Sequence, residues 1–305
     1  MKILVALPNK NYYIWQMLVQ INNFKKFDYD NNLIYIIGNV KNSDSNIINK
    51  IGNLKTKANF YFYDDTRINP KYASSLRPHL LKKFFYSKKE IVNNEVFFYI
   101  DPDVLFTKKI NFNDLLKDNF WYISDTKSYI NSSYIKSKSI ELFNKMCNIV
   151  GISSDIVEKN DNNAGGAQYI LKNIDYKFWE KIENDSEKLY ELMINTSNIY
   201  SPEKPIQAWT ADMWAILWNG LLLNYNINIH KKLNFSWANE DIKNWKLNSL
   251  FHNAGITNEK NLFNKLNYQI SPFNKDLSFV DKKYCVYNYV KEIKDTEKNF
   301  KDFLF

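Results

Sequence analysis

The sequence predicts an α/β fold with a mixed, mostly parallel central sheet flanked by helices, folded as a single compact domain. Three features point that way: short apolar, β-favouring runs each closed by a turn signal, segments of helical periodicity between them, and a length of 305 residues, enough for one continuous core. Ile3 to Leu7 reads as the first strand, Pro8 to Asn11 as a turn, and Tyr12 to Asn22 as a helix with Ile14, Leu18 and Ile21 on one face. Leu33 to Ile37 followed by Gly38-Asn39 repeats the strand-then-turn pattern, and Asn59 to Tyr63 followed by Asp64-Asp65 repeats it again. Strands joined by helical connectors imply parallel neighbours. The segment SSLRPHLLKKFFYS, with Leu76, Leu80 and Phe84 at helical spacing, is then the crossover to the next strand, Phe97 to Ile100.

Beyond that strand the pattern loosens. Phe120 to Ser124 is a predicted strand, and Lys138 to Val150 a helix with Leu142, Met146 and Ile149 inward. Gly165-Gly166 reads as a turn ahead of a helix from Tyr176 to Leu192. Pro205 to Asn224 holds a helix opening at a Thr210 cap, with Ala211, Trp214, Ala215, Trp218, Leu221 and Leu222 on a core-facing stripe. Asp212 falls off that stripe, in the first turn, where the helix dipole favours a carboxylate. The last stretch, Tyr284 to Phe305, alternates Lys with Glu and Asp around Val290, Ile293, Phe300 and Leu304, the pattern of a solvated amphipathic helix.

A 45% hydrophobic and 16% aromatic content is too high for a disordered chain. Enrichment in Asn and Lys looks like the coding bias of an AT-rich genome, so the net charge of +8 carries little functional meaning. The basic residues are dispersed instead of clustered as a nucleic-acid patch would be. Cys147 and Cys285 stand far apart without a His or Cys at metal-ligand spacing, which suggests neither a disulfide framework nor a zinc site and fits a reducing compartment. Ile3 to Leu7 is too short for a signal-peptide core and no later segment reaches spanning length, so a cytoplasmic protein is expected.

The chemistry concentrates in FFYIDPDVLF, Phe97 to Phe106, where two carboxylates follow an apolar run. Pro102 has no N–H to donate, so the ladder stops there and Asp101 and Asp103 sit at the strand's carboxyl edge, where open α/β sheets bind ligands. Hard oxygen ligands suit Mg²⁺ or Mn²⁺ carrying a diphosphate. Continued strand geometry would point the two acids to opposite sides, so they can share an ion only if the backbone turns at Pro102. Two later segments follow: NNAGGAQ, Asn162 to Gln168, and FHNAG, Phe251 to Gly255.

In that order, the three segments resemble the DxD signature and downstream motifs of nucleotide-sugar glycosyltransferases with the GT-A, Rossmann-like fold. The resemblance implies Asp103 as a direct ligand of Mn²⁺ or Mg²⁺, Asp101 as a ligand that also reaches the ribose or a metal-bound water, and His252 as the third ligand. It implies donor contacts from Leu7, Pro8, Asp65, Arg77, Asp101, Asn163, Gly165, Gly166, Asn253 and Gly255, with the Arg77 fork on phosphate. Gln168 would face the anomeric carbon in a retaining enzyme, and Asp212 would be the general base of an inverting one, with Glu240 or Asp241 able to replace it. Trp209 would stack on a sugar ring.

By the same resemblance, residues 1–260 form the transferase domain, with 1–125 the nucleotide-binding half and 126–260 the acceptor and catalytic half, and residues 261–305 form an extension carrying the amphipathic helix. The implied partners are a nucleotide-sugar donor, a UDP-sugar first among them, and a hydroxyl acceptor on a glycan, glycolipid or other molecule, with peripheral contact at the inner face of a membrane through the extension. DNA or RNA as acceptor stays open. Two other classes compete: a nucleic-acid-binding or nucleic-acid-modifying protein, and a haloacid-dehalogenase-like phosphohydrolase. The latter's DxD continues with Thr two residues after the second Asp, where this chain has Leu105.

Overall fold

Among the described residues of the computed structural model, 1–300 except 42, 44, 257 and 258, the expected strands form and others join them. In chain order they are β1 (Lys2–Pro8), β2 (Leu33–Asn39), β3 (Asn59–Asp64), β4 (Phe97–Tyr99), β5 (Val104–Phe106), β6 (Trp121–Asp125), β7 (Gly165–Leu171), β8 (Ile227–Ile229), β9 (Phe235–Trp237) and β10 (Leu250–His252). The fold is mixed α/β, with helices between strands. It divides into two compact units: a first of residues 2–62, 100–111 and 232–305, and a second of Met1 with 63–99 and 112–231. These boundaries cut across the expected partition at 125 and 260. The 261–305 segment clusters with β1 and β2, and its last five positions, with Leu304, lie outside the described residues.

In the first unit the strands of the larger sheet run in the order β3-β2-β1, with β1 and β2 parallel and Ile3 opposite Leu33. Ile3 to Leu7 and Leu33 to Ile37 are all buried, which is why both strands read as unbroken apolar runs. The same unit holds a three-stranded sheet, β5-β10-β9; Leu250 and Phe251 ahead of His252 imply a strand end there, but not the sheet it joins, in which β10 pairs antiparallel with β5 and parallel with β9. Its strands have three residues each, too short for periodicity to register. The helix Asn11–Lys25 is buried from Ile14 through Phe24, with Gln16, Gln20, Asn22 and Asn23 buried beside the aliphatics. The tail helix Val286–Asn299 lays Val286, Tyr289, Val290, Ile293 and Thr296 into this unit. It is tied to the Asn11–Lys25 segment by Lys26 Nζ, 2.7 Å from Glu292 Oε2, and by Asn299 Nδ2 donating to Asn22 Oδ1 at 2.7 Å. The amphipathic helix expected here is docked on the core, with Val290 and Ile293 of its apolar face buried.

The second unit carries β4-β7-β6-β8, with β7 antiparallel to both β4 and β6, and β6 parallel to β8. Gly165 and Gly166 lie in β7, not in the predicted turn, and packing explains both. A Cβ on Gly165 would meet the Ser124 carbonyl oxygen at 2.2 Å, and one on Gly166 the Tyr169 hydroxyl at 2.5 Å. The helix Ala211–Leu222 is buried on every side from Ala211 to Gly220, so Asp212 is interior where the stripe pattern had left it outside. Thr210 does not cap it; its hydroxyl donates instead to the Gln207 carbonyl at 2.7 Å.

Candidate functional site

In the first unit the chain turns where the two acids needed it to. Val104 N–H donates to the Asp101 carbonyl at 3.3 Å, closing a β-turn with Pro102 at its second position, the place that the fixed φ of proline suits best. Gln20, fully buried, clamps that turn: its Nε2 donates to the carbonyls of Asp101 and Val104, both at 2.9 Å, while its Oε1 accepts from the Tyr35 hydroxyl at 2.9 Å. Asn23, one helical turn on, exchanges two hydrogen bonds with the Phe106 backbone. These two amides are functional supports that the sequence reading passed over. Gln16, Gln20 and Asn23 recur at helical spacing, the signal that marks a polar seam within a buried helix.

His252 reaches the acids because β10 pairs with β5: His252 stands opposite Val104, and Asn253 N–H donates to the Asp103 carbonyl at 3.1 Å. The imidazole Nε2 lies 3.4 Å from Asp103 Oδ1 and 3.7 Å from Asp101 Oδ2. One ligand atom from each of the three residues falls within 4.8 Å of the others, and Asp103 and His252 are buried. Two carboxylate oxygens and one imidazole nitrogen form a donor set that suits a six-coordinate Mn²⁺ or Mg²⁺, leaving positions for phosphate or water. Asn253 Nδ2 is buried beside this cluster without a hydrogen-bond partner. At the end of β1, Asn9 Oδ1 and Asn11 Oδ1 are likewise buried and unpartnered, polar atoms that a bound ligand can satisfy.

A fourth residue joins the cluster unannounced. The Lys265 ammonium contacts Asp103 Oδ2, so the two oxygens of that carboxylate are divided, Oδ1 toward His252 and Oδ2 toward Lys265. Burial disfavours the charged form of both groups, yet Lys265 and then His252 hold the Asp103 carboxyl well below the usual carboxylate range. Burial likewise works against the Lys265 ammonium, and Asp103 outweighs it, raising that group above its ordinary value. The lysine is placed by an anchored turn: Asn264 Oδ1 accepts from Leu266 N–H at 2.9 Å, Trp15 Nε1 donates to the Tyr268 carbonyl at 3.0 Å, and Phe263 stacks on Tyr268 at 4.8 Å. As one of 41 Lys and Arg residues, Lys265 had nothing in its immediate sequence to single it out.

The second unit gathers the other acid. Asp212, 4% exposed, takes Arg77 on Oδ2, and its Oδ1 lies 2.7 Å from the Tyr72 hydroxyl, which is also 2.5 Å from the Trp209 carbonyl. Arg77, expected on phosphate, is thus on Asp212. Each oxygen of Asp212 thus has one partner, which fixes the carboxylate while leaving acceptor capacity on both oxygens. Burial, then the Asp212 charge, push the Tyr72 hydroxyl well above its ordinary value, which keeps it a donor. The Trp209 ring is exposed and stands 6.2 Å from Tyr129.

Gln168 is buried in a bulge of β7, where the register against β6 shifts between Ile123 and Ser124, and it accepts from the Ser124 hydroxyl at 2.5 Å. Asp65 is held bidentately by Arg67, and Asn163 Oδ1 accepts from Ile229 N–H at 3.2 Å, so both expected donor contacts serve local structure. In the first unit, Leu7 and Pro8 lie opposite Ile37 and Gly38 at the ends of β1 and β2. Gly255 adopts a positive φ of 86° under the Trp237 ring. Glu240 and Asp241 are engaged in turns, accepting from Trp237 N–H at 3.2 Å and Lys243 N–H at 2.9 Å.

No family model matches the sequence, and no curated protein does. Among solved structures, the chain is similar to the galactosyltransferase LgtC in complex with donor and acceptor sugar analogues, at 10% identity over 100% of both chains with a TM-score of 0.48. It is similar to the bifunctional glycosyltransferase WbbM at 11% identity, over 100% of this chain and 51% of that one, with a TM-score of 0.51. Mouse xyloside xylosyltransferase 1 is similar at 10% identity, over 83% of this chain and 96% of that one, with a TM-score of 0.40. The chain spans about half the length of WbbM. Identities this low speak to architecture alone, and the architecture is the expected one, that of GT-A glycosyltransferases.

Proposed function

We propose that this chain is a metal-dependent glycosyltransferase that moves a sugar from a nucleoside diphosphate donor to an acceptor hydroxyl. The single observation that carries the proposal is the convergence of His252 on Asp101 and Asp103, 3.7 and 3.4 Å away, through a strand pairing that joins two distant segments. Asp103 Oδ1, Asp101 Oδ2 and His252 Nε2 would hold Mn²⁺ or Mg²⁺. A divalent ion bound there supplies Lewis-acid neutralisation of the charge that develops on a departing diphosphate. The rest falls to the chain's own residues: Gln20 and Asn23 fix the backbone of the acids, and the β5–β10 pairing fixes the imidazole. The shared fold with WbbM supports the same proposal. A UDP-sugar donor and a glycan or glycolipid acceptor belong to it as the finer statement.

Asp212 and Gln168 are the candidates for the reacting centre. Asp212 is poised by Arg77 and Tyr72, and Gln168 offers an amide locked by Ser124. A role for the tail helix at a membrane surface finds no support, because Val290 and Ile293 on its apolar face are packed on protein. Among the described residues no helix is long and apolar enough to cross a membrane. The test is release of nucleoside diphosphate from UDP-, GDP- and dTDP-sugars with and without Mn²⁺ or Mg²⁺. Metal-dependent turnover of at least one donor, abolished in His252→Ala, is the expected outcome; no turnover of any donor with either ion overturns the proposal.

A further inference from the structure

Lys265 is not one of the three metal-ligand candidates, yet its ammonium touches one of them. Each polar oxygen of Asp103 has a neighbour: Oδ1 faces the imidazole at 3.4 Å, Oδ2 faces the ammonium, and the carbonyl accepts from Asn253 N–H at 3.1 Å. A carboxylate so divided can offer a divalent ion one oxygen, not two. The ammonium also stands on the far side of the same small group, close enough that a dication and Lys265 repel each other across it. At separations of a few ångströms and an effective dielectric of about 20, such a repulsion is large compared with RT. An anionic ligand near both charges relieves it. Swinging the lysine away costs the buried Asp103 its ion-pair partner, and the turn that carries it is itself anchored by Asn264, by Trp15 on the Tyr268 carbonyl and by the Phe263–Tyr268 stack.

We propose that Lys265 makes occupancy of the Asp101–Asp103–His252 site conditional on an anionic ligand: it holds Asp103 to monodentate ligation and opposes the bare dication, so that metal binds weakly alone and tightly together with a diphosphate. This is a binding-order device built from one side chain, and it rests on the metal-dependent transferase proposed above. Lys265 acts as a positioning residue in this role, through Asp103. The coupling is reciprocal, since a ligand that raises the affinity for metal has its own affinity raised by metal through the same factor.

The test uses the full chain and Mn²⁺ titration followed by electron paramagnetic resonance of the free ion, with Mn²⁺ alone and with saturating UDP, the UDP-bound ion being corrected for by a protein-free control. Lys265→Met removes the charge, and Lys265→Gln removes it while keeping a hydrogen-bond donor for Asp103. In both variants the dissociation constant for Mn²⁺ alone should fall at least about tenfold, a change of about 1.4 kcal/mol. The factor by which UDP tightens Mn²⁺ binding should shrink by a similar amount. Circular dichroism and a thermal melt establish that each variant is folded, and Gln covers the case in which Met is not. Mn²⁺ affinity that is unchanged within twofold or weakened in the folded variants, while His252→Ala still abolishes Mn²⁺ binding, overturns the lysine proposal and leaves the transferase proposal standing. Absence of Mn²⁺ binding in the wild type and in both lysine variants, with and without UDP, overturns both.

Discussion

The two acid clusters of this molecule use the same side chain in opposite ways. In the second unit Asp212 has a guanidinium on one oxygen and a phenol on the other, and it is closed: a buried carboxylate with its partners already assigned. In the first unit Asp103 gives one oxygen to an ammonium and turns the other toward an imidazole 3.4 Å away, a distance set by strand pairing and too long for a strong hydrogen bond. The first arrangement fixes a carboxylate in place. The second, with Asp101 Oδ2 3.7 Å from the same imidazole, brings ligand atoms together around a common point. Completeness of pairing, more than burial, separates the two.

Mutations should divide along that line. His252→Ala ought to abolish metal-dependent donor turnover, with a loss of stability smaller than that of Asp212→Ala; a large loss of stability with retained turnover would merge the two clusters into one structural class. Asp212→Ala leaves Arg77 without its carboxylate and should destabilise the protein by about 3 kcal/mol, the low end for a broken buried pair because Arg77 is partly exposed, as read by urea unfolding. Metal affinity should stay put in that variant.

Gln20→Ala sharpens the contrast, since it removes two donors from the acid turn and strands the Tyr35 hydroxyl. The expected cost is about 2 kcal/mol, accompanied by weaker Mn²⁺ binding, an effect that Asp212→Ala should not show. Trp209→Ala is the smallest change for the fold: the ring is exposed, so stability should shift by no more than about 0.5 kcal/mol. If Trp209 stacks on a sugar, the KM for a saccharide acceptor should rise with donor hydrolysis unaltered; unchanged acceptor kinetics would remove it from the site.

What could be read in the sequence depended on how far each feature reached along the chain. The βα opening and the strand before the acids announce themselves in a single window, because Ile3 to Leu7, Leu33 to Ile37 and Phe97 to Ile100 are unbroken buried runs of β-favouring residues, although the last ladder spans only Phe97–Tyr99. The turn at Pro102 was legible from proline chemistry alone. His252 could be assigned to the acids only through the family resemblance, since β5, β9 and β10 have three residues each and their pairing is a property of three separated segments. Gly165 and Gly166 suggested a turn because glycine usually marks one; their actual reason is the Ser124 carbonyl and Tyr169 hydroxyl packed against them, neighbours invisible to a local window. Asp212 was misplaced on a solvent side because its helix is buried all round, and a stripe pattern presumes that one side is wet. Lys265 required the folded turn itself.

The short ladder between β5 and β10 has a consequence for how the protein is made. A ribosome delivers the two acids first, the imidazole only after residues 112–231 of the second unit have been made, and the lysine later still. Until then the growing polypeptide carries carboxylates without the nitrogen that would complete their grip, so ion capture waits until β10 can pair with β5. With UDP present, a nascent chain arrested before Leu250 should accordingly ignore Mn²⁺, and the released full chain should take it up.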